Sequence, residues 1–590
     1  MLELESSVDL NQFGSRRTSA TNLLHYVALR RQDIRTLQEK LESMGISSLG
    51  RSEDHVLYNI DAVIRILQRL AHEPVVIEPT VEGVSPLEGR KILLSNAEAL
   101  FGPSEPGREV RMMATMPSEA ASDYTLIRDL VAAGMDCMRI NCAHDSEPAW
   151  LAMVQNLRRA EGEVGRKCRV MMDIAGPKMR TGKLEPGPQA LRIRPDRDAY
   201  GLVTRPATIL FSAEVGTGTF ADDVSVLQVD ASWLGMLQGG DVVTLEDSRG
   251  SARSMSVTVG RGRVVRATSR KTIYLSATTR LRVAKGGKEH STLVSNIPHL
   301  ENPIVLRRGD TLVLTADQTP GGPAYRGEPN RIPCTLPEAL RFVKPGERIW
   351  FDDGKIGGSV KAASEEELSI EVTQAAPGGT KLREDKGINL PDTNLKLPPL
   401  TPKDLQDLHF ITKYADMIGY SFVRTSEDLR ALRTELEKLG KPDMAIIIKV
   451  ETERAFEHLP TLLLESMRNR VSGVMIARGD LAVECGYERL AEVQEEILWM
   501  SEAAHMPTIW ATQVLEGLTK SGVPSRAEVT DAAAGERSEC VMLNKGPHMV
   551  EALLALNSIL RRMQAHQVKK RSLMRRLNIA SGFLRTPSAS

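Results

Sequence analysis

Ile446-Ile-Ile-Lys449-Val-Glu451 and Gly473-Val-Met-Ile-Ala-Arg-Gly-Asp480 are short apolar runs, each closed by charge. Their length, apolar content and the helix-patterned segments that follow them read as buried parallel strands. Two acids and a lysine therefore meet at one sheet edge. Carboxylates on adjacent strand ends can grip a hard divalent cation, and the ammonium offers a point charge to a phosphate or a developing oxyanion. A structural ion pair at the rim is the competing interpretation.

Working outward, the same rhythm recurs. Strands are expected at Val110–Thr115, Cys137–Asn141, Arg169–Asp173, Met417–Phe422, Ala445–Glu451, Gly473–Ala477, Thr508–Thr512 and Cys540–Asn544, alternating with amphipathic segments such as Tyr124–Ala133, Glu427–Leu439 and Arg489–Ala504. Eight such units predict an α/β fold, a (β/α)8 TIM barrel with its site at the carboxyl ends of the strands. An open doubly wound sheet is the alternative. The polar residues at strand ends (Asn141, Asp173, Lys449, Glu451, Asp480, Thr512) favour the barrel, which makes them converge where an open sheet spreads them.

Between Gly182 and Lys386 the rhythm stops, and short Gly-rich β segments predict an all-β domain inserted above the barrel mouth. The run Leu237–Arg249 matches Val343–Lys355 in turn, apolar alternation and acid pair, so the insertion reads either as internally duplicated or as two hairpins sharing turn chemistry. Helical periodicity from Thr18 to Leu70, broken at 45–50, predicts an N-terminal helical extension, and Phe101-Gly-Pro-Ser-Glu-Pro-Gly reads as a connector. The expected units are 1–105 (helical extension and linker), 106–182 with 387–565 (barrel), 183–386 (inserted β domain) and 566–590 (basic tail).

The chain has 76 basic and 76 acidic residues, so no global field recruits nucleic acid or a membrane, and any phosphate site must be local. No apolar run reaches the length of a membrane span and the amino terminus lacks an export pattern, which predicts a cytoplasmic protein. The six cysteines show no zinc spacing and read as buried thiols.

Several collinear motifs resemble the pyruvate kinase family. They are Met138-Arg139-Ile-Asn141-Cys-Ala-His144, Asp173-Ile-Ala-Gly-Pro-Lys178-Met-Arg180-Thr-Gly182, Lys386-Gly-Ile-Asn-Leu-Pro, Ser421-Phe-Val-Arg424, Lys449-Val-Glu451, Ala477-Arg-Gly-Asp480-Leu, Ala511-Thr512-Gln513 and Ser525-Arg526-Ala-Glu528, spread over roughly residues 109–560. The resemblance implies phosphoryl transfer from phosphoenolpyruvate to ADP. It also implies Mg²⁺, or alternatively Mn²⁺, on Glu451 and Asp480, with Lys449 neutralising the migrating phosphoryl group. Arg139 and Arg180 would bind phosphate oxygens, and backbone N–H groups at Gly479 and Asp480 the substrate carboxylate. Thr512 would relay a proton near the enolate carbon. Asn141 and His144 fall on the nucleotide side, and the inserted domain becomes a lid whose Asp352 or Asp353 presents a carboxylate to a second metal or its waters, a turn-forming role being the alternative.

Three departures stand out. Ala143 and Ile174 occupy positions where the family ligates a monovalent cation, and Lys178 replaces a glutamate, placing an ammonium near that spot. A unit charge at about 4 Å is worth on the order of 4 kcal/mol at an effective dielectric of about 20, so K⁺ is expected to be dispensable. The segment Met542-Leu-Asn-Lys-Gly-Pro-His lacks the family's Ser and Glu, and regulation through a separate C-terminal domain is not expected. A turnover-deficient sensor and a metal-dependent oxo-acid lyase on the same barrel remain as alternatives; a homo-oligomer is left open.

Overall fold

The computed structural model describes residues 2–72, 83–214, 224–260, 264–325 and 327–564. The basic tail expected over 566–590 lies outside them.

Eight parallel strands close a barrel in chain order: β1 Arg111–Thr115, β2 Cys137–Asn141, β3 Arg169–Ile174, β4 Met417–Tyr420, β5 Ala445–Val450, β6 Ser472–Ala477, β7 Thr508–Ala511 and β8 Cys540–Leu543. The register sets Thr115 beside Arg139, Asn141 beside Asp173, and Asp173 beside Gly419. Residues two apart on a strand share a face. Met113, Cys137, Met171, Met417, Ile447 and Cys540 pack together as an apolar floor, and two positions further along stand Thr115, Arg139, Asp173, Gly419, Lys449 and Met542. The inward face therefore changes mostly from apolar to polar at one height around the ring, and this step creates the site.

The floor is completed by a helix the sequence reading passed over, Pro86–Phe101, whose Ala97, Leu100 and Phe101 join the interior cluster. Its local signal is a capping box: Ser85 Oγ accepts from Glu88 N, Glu88 Oε2 accepts from Ser85 N, and Pro86 sits at the first helical position. Of the preceding helices, Arg17–Arg30 docks on the barrel helix Leu490–Ala503, Val56–Leu70 packs on Arg17–Arg30, and Arg35–Ser43 joins Val56–Leu70 through Leu41 and Val63. Asn22 Nδ2 donates to Ala503 O at 2.8 Å and to Glu53 O at 2.7 Å, and His505 Nε2 meets Asp54 O at 2.9 Å.

The segment between β3 and β4 folds as two principal sheets with separate apolar cores. In the first, Val224–Gln228 lies parallel to Ala207–Ser212, followed across the sheet by antiparallel Val265–Ser269, Ala252–Val259 and Val242–Glu246. The second repeats that order with Asn330–Pro333, Thr311–Thr315, Glu367–Gln374, Ile356–Ala363 and Arg348–Phe351. Each also carries a short helical turn at the same place in the chain, Ala231–Met236 and Pro337–Phe342. No helix among the described residues is long and apolar enough to cross a membrane, and all six cysteines are buried and free.

Leu100 is 2% exposed within the floor cluster. Leu100→Ala is expected to cost about 3 kcal/mol through the cavity it leaves, read as a lowered unfolding midpoint in denaturant; an unchanged midpoint would show that the helix does not brace the barrel.

Candidate active site

Asp173, the last-but-one residue of β3, lies at the centre of the mouth with no exposed surface. Only glycine fits at the neighbouring position 419, because a Cβ there would come within 2.1 Å of Asp173 Oδ1. Arg139 from β2 donates to Asp173 Oδ2 through Nε (3.0 Å) and Nη2 (2.7 Å), and its Nη1 reaches Thr115 Oγ1 at 2.9 Å. Three of five guanidinium N–H groups are thereby used, leaving two for a ligand. Lys449 from β5 stands on the other side, 3.1 Å from Asp173 Oδ2, 2.9 Å from Glu451 Oε1 and 2.7 Å from Ser421 Oγ. Among the described residues Asp173 Oδ1 has no hydrogen-bond partner.

Burial alone would raise Asp173, but Arg139 and Lys449 outweigh it and hold the carboxyl below its ordinary value. Burial would likewise discharge Lys449; Asp173 and Glu451 reverse this and raise it, so the ammonium persists in a dry setting. Glu451 is raised, first by burial and then by the facing Asp480 carboxylate, against the pull of Lys449. Two carboxylates close enough to repel fit a divalent cation placed between them. Mg²⁺ needs few protein oxygens, since it keeps waters and shares substrate oxygens, and among the described residues no group of three acidic, His or Cys side chains forms a closed metal cage.

Asp480 sits in the first turn of the helix Arg478–Cys485 after β6, and its Oδ1 lies 2.9 Å from Lys178 Nζ, 302 positions away in sequence. Thr512, just past β7, has φ 64°, a left-handed backbone that a β-branched residue tolerates only when its surroundings impose it. Its Oγ1 accepts from Gly479 N at 2.9 Å, and Arg478 clasps the turn by donating to Ala511 O at 2.8 Å and Thr512 O at 2.5 Å. Lys449, Glu451, Arg139, Asp480, Lys178, Gly479 and Thr512 thus form a connected mouth. Asn141 and His144 line an adjoining cavity of about 280 Å³ together with Arg139.

Two expected residues bond elsewhere. Arg180 donates to Asp385 O at 3.0 Å at the base of the inserted domain. Asp353 is exposed on the turn Asp352-Asp353-Gly354, where all three residues have positive φ, and its carbonyl accepts from Tyr487 Oη at 3.1 Å. Asp352 is buried and paired with Lys355 (3.0 Å) and Lys386 (3.4 Å). The corresponding turn of the first sheet buries Asp247 against Arg249 (2.9 Å) and Arg253 (3.2 Å), with a positive φ only at Gly250.

Sequence reasoning gave no role to Thr115, Ser421, Glu484 or Tyr487. Thr115 and Ser421 could have been found from strand alternation, since each stands two places beyond an inward-facing residue. Glu484 had no such signal. It is buried where the helix Arg478–Cys485 meets the inserted domain, and its Oε1 accepts from Asn389 Nδ2 at 2.9 Å.

The family model for pyruvate kinase, barrel domain, matches residues 107–204 and 235–547. A pyruvate kinase of Methylorubrum extorquens is 34% identical over 293 residues, 48% of this chain and 56% of that protein. Human pyruvate kinase PKLR is 33% identical over 297 residues, 49% of each chain, and a Thermococcus litoralis pyruvate kinase is 33% identical over 257 residues, 42% of this chain and 51% of its own. The chain spans about half the length of the curated relatives it matches.

Burial raises the Glu484 carboxyl from its ordinary range to about 7, against the hydrogen bond from Asn389 and with Asp480 adding to the rise. A folded value above the unfolded one favours folding below the unfolded pKa, and the advantage is lost as pH rises through about 7. Glu484→Gln, which keeps the acceptor, should therefore match the wild type in thermal stability near pH 4.5 and exceed it at pH 8 by on the order of 3 kcal/mol; equal stability at both pH values would place the carboxyl in a wetter setting.

Proposed function

The chain belongs to the pyruvate kinase family, and we propose that it transfers the phosphoryl group of phosphoenolpyruvate to ADP, giving pyruvate and ATP. The observation that carries the reading is Lys449: a buried ammonium, kept charged by Asp173 and Glu451, in the mouth where Arg139 retains free donors. Such a group suits equatorial phosphoryl oxygens in a loose transition state, which need fixed positive charge and little covalent assistance.

Glu451 and Asp480 would hold Mg²⁺, which supplies Lewis-acid stabilisation of the enolate oxygen and phosphoryl group when bound. Lys449 would bind the phosphoryl group between the breaking P–O bond to the enolate and the forming bond to the terminal phosphate oxygen of ADP. Arg139 would orient it through its two remaining N–H groups. The substrate carboxylate would take the Gly479 N–H at the start of the helix Arg478–Cys485, releasing the Thr512 hydroxyl that now occupies it. Thr512 would then stand free to pass a proton to the methylene carbon of the enolate, directly or through water, completing pyruvate.

Closure of the inserted domain would exclude water and prevent hydrolysis of the phosphoryl group. The turn Asp352-Asp353-Gly354 supports that role: it is strained, it touches Tyr487 of the barrel, and Asp353 is left exposed toward solvent. Asp353 would present its carboxylate on the nucleotide side, and Arg180, at the base of the same domain, would meet phosphate on closure.

Lys178 is the basis for K⁺ independence. Its ammonium lies within the site beside Asp480 and over the Phe422 ring, while Ala143 and Ile174 offer no side-chain oxygen to an ion. Asp173 retains one unpartnered oxygen, but Arg139 and Lys449 already offset its charge.

A coupled assay for pyruvate from phosphoenolpyruvate and ADP tests the reading. Lys449→Met is expected to lower kcat about a thousandfold; nucleotide-independent release of pyruvate from oxaloacetate, or binding with no turnover, would overturn it. Rates with Mg²⁺ should be the same in potassium-free and potassium-containing buffer, and Lys178→Glu should introduce a K⁺ requirement; strong stimulation of the wild type by K⁺ would remove the role given to Lys178.

A further inference from the structure

The balanced charge of the whole chain hides one local excess. Residues 248–288 hold eleven basic side chains and no acidic one, and they build three strands of the first inserted sheet, Ala252–Val259, Val265–Ser269 and Arg280–Lys285. The second inserted sheet repeats the topology without the charge. Residues 356–374, which stand in it where 252–269 stand in the first, include one basic and four acidic residues against four basic and none acidic. The excess is therefore a property of the first copy and not of the architecture.

Strand alternation sends this charge to one face. Met255, Val257, Val265, Ala267, Leu281 and Val283 join the apolar core of the sheet, so the residues between them point outward. Register sets Arg282 beside Thr244, Thr244 beside Ser254, Ser256 beside Thr268 and Thr258 beside Arg266. Arg266, Arg280 and Arg282, all exposed, thus frame rows of hydroxyls. Arg280 Nη1 donates to Ser291 Oγ at 3.2 Å, and Arg282 Nε lies 3.6 Å from the exposed Glu289, contacts that leave further N–H groups on each guanidinium. Arg266 makes no ion pair with another described residue.

The chemistry of this face selects among anionic partners. A membrane requires apolar side chains to insert, and a protein interface requires a desolvated aromatic or aliphatic centre. Val242 and Leu293, the exposed large apolar residues of the face, stand at strand ends and supply neither. A nucleic-acid backbone asks instead for guanidinium forks and hydroxyls, which bond phosphate and sugar. The seven strands of the sheet, about 4.8 Å apart, make a surface roughly 29 Å wide, too broad for a duplex groove of about 12 Å but able to carry an extended strand. We infer that the outer face of the first inserted sheet binds single-stranded RNA, with phosphates on Arg266, Arg280 and Arg282 and ribose 2′-hydroxyls on the serine and threonine rows. Among the described residues the face has no aromatic ring for bases to stack on, so binding follows the backbone and ignores base sequence. None of these residues belongs to the catalytic mouth, and the inference does not depend on the phosphotransfer reading.

Fluorescence anisotropy of a labelled oligouridine of about 20 nucleotides, titrated with the full chain, tests it. The wild type should bind with an affinity that falls steeply as salt rises. The triple variant Arg266→Gln, Arg280→Gln, Arg282→Gln should bind about a hundredfold more weakly at about 0.1 M salt, and its slope of log affinity against log salt should be shallower by about 2. Its unfolding midpoint should not change, because all three side chains are exposed, and Lys361→Gln in the second sheet should bind as the wild type does. A wild type that does not bind the oligomer, or a triple variant that binds it as tightly, overturns the inference. Equal affinity for oligodeoxyuridine of the same length overturns the assignment to RNA, and preferential binding to phosphatidylserine vesicles overturns the choice of a nucleic acid.

Discussion

The buried chain of charge Thr115–Arg139–Asp173–Lys449–Glu451 is the constraint around which the mouth of this molecule is arranged. Removing such groups from water costs several kcal/mol each, and only mutual pairing with good geometry offsets it. The pairing holds because every member stands on an inward position of a barrel strand or one step beyond it, so the sheet register fixes their separations. Gly419 belongs to the same constraint: its missing side chain is the space that Asp173 fills. A charged cluster assembled this way requires no reorganisation before it meets an anion, which is the property phosphoryl transfer demands of its catalyst.

The rest of the architecture either supports that cluster or covers it. Below, the methionine-rich floor and the end of the helix Pro86–Phe101 fill the barrel with adaptable apolar volume, isolating the charges from solvent on that side. Above, one sheet topology is used twice between β3 and β4, and the two copies act as internal controls for each other. The first copy buries its turn acid, Asp247, between two arginines and keeps ordinary backbone angles. The second, which touches the barrel through Tyr487 and Asn389, holds three consecutive left-handed residues and leaves Asp353 exposed. The strain that one copy avoids is sustained in the other where it meets the barrel at Tyr487.

Lys178 and Lys545 both bring a fixed ammonium to the rim, one beside Asp480 and one over the adjoining cavity. A tethered cation does not diffuse away, and it costs no ion-binding equilibrium. It also cannot adapt its position as a bound ion can, so the local backbone must place it, as the close packing of Gly546 on the Thr519 backbone does for Lys545.

The sequence by itself determined the barrel, its strands to within a residue or two, and many of the residues at its carboxyl rim, though not Thr115 or Ser421. Alternation of period two and the recurrence of helix patterns are local properties, and a charge closing an apolar run such as Ile446–Glu451 is visible without a partner. The tertiary structure alone decided which charge meets which. That Lys178 pairs with Asp480 across 302 positions, that Arg180 turns to Asp385, that Glu484 is driven toward neutrality by burial and that Pro86–Phe101 seals the floor all depend on distances and dielectric surroundings that exist only once distant segments are packed. Electrostatic energy is set by separation in space, and separation along the chain carries no record of it.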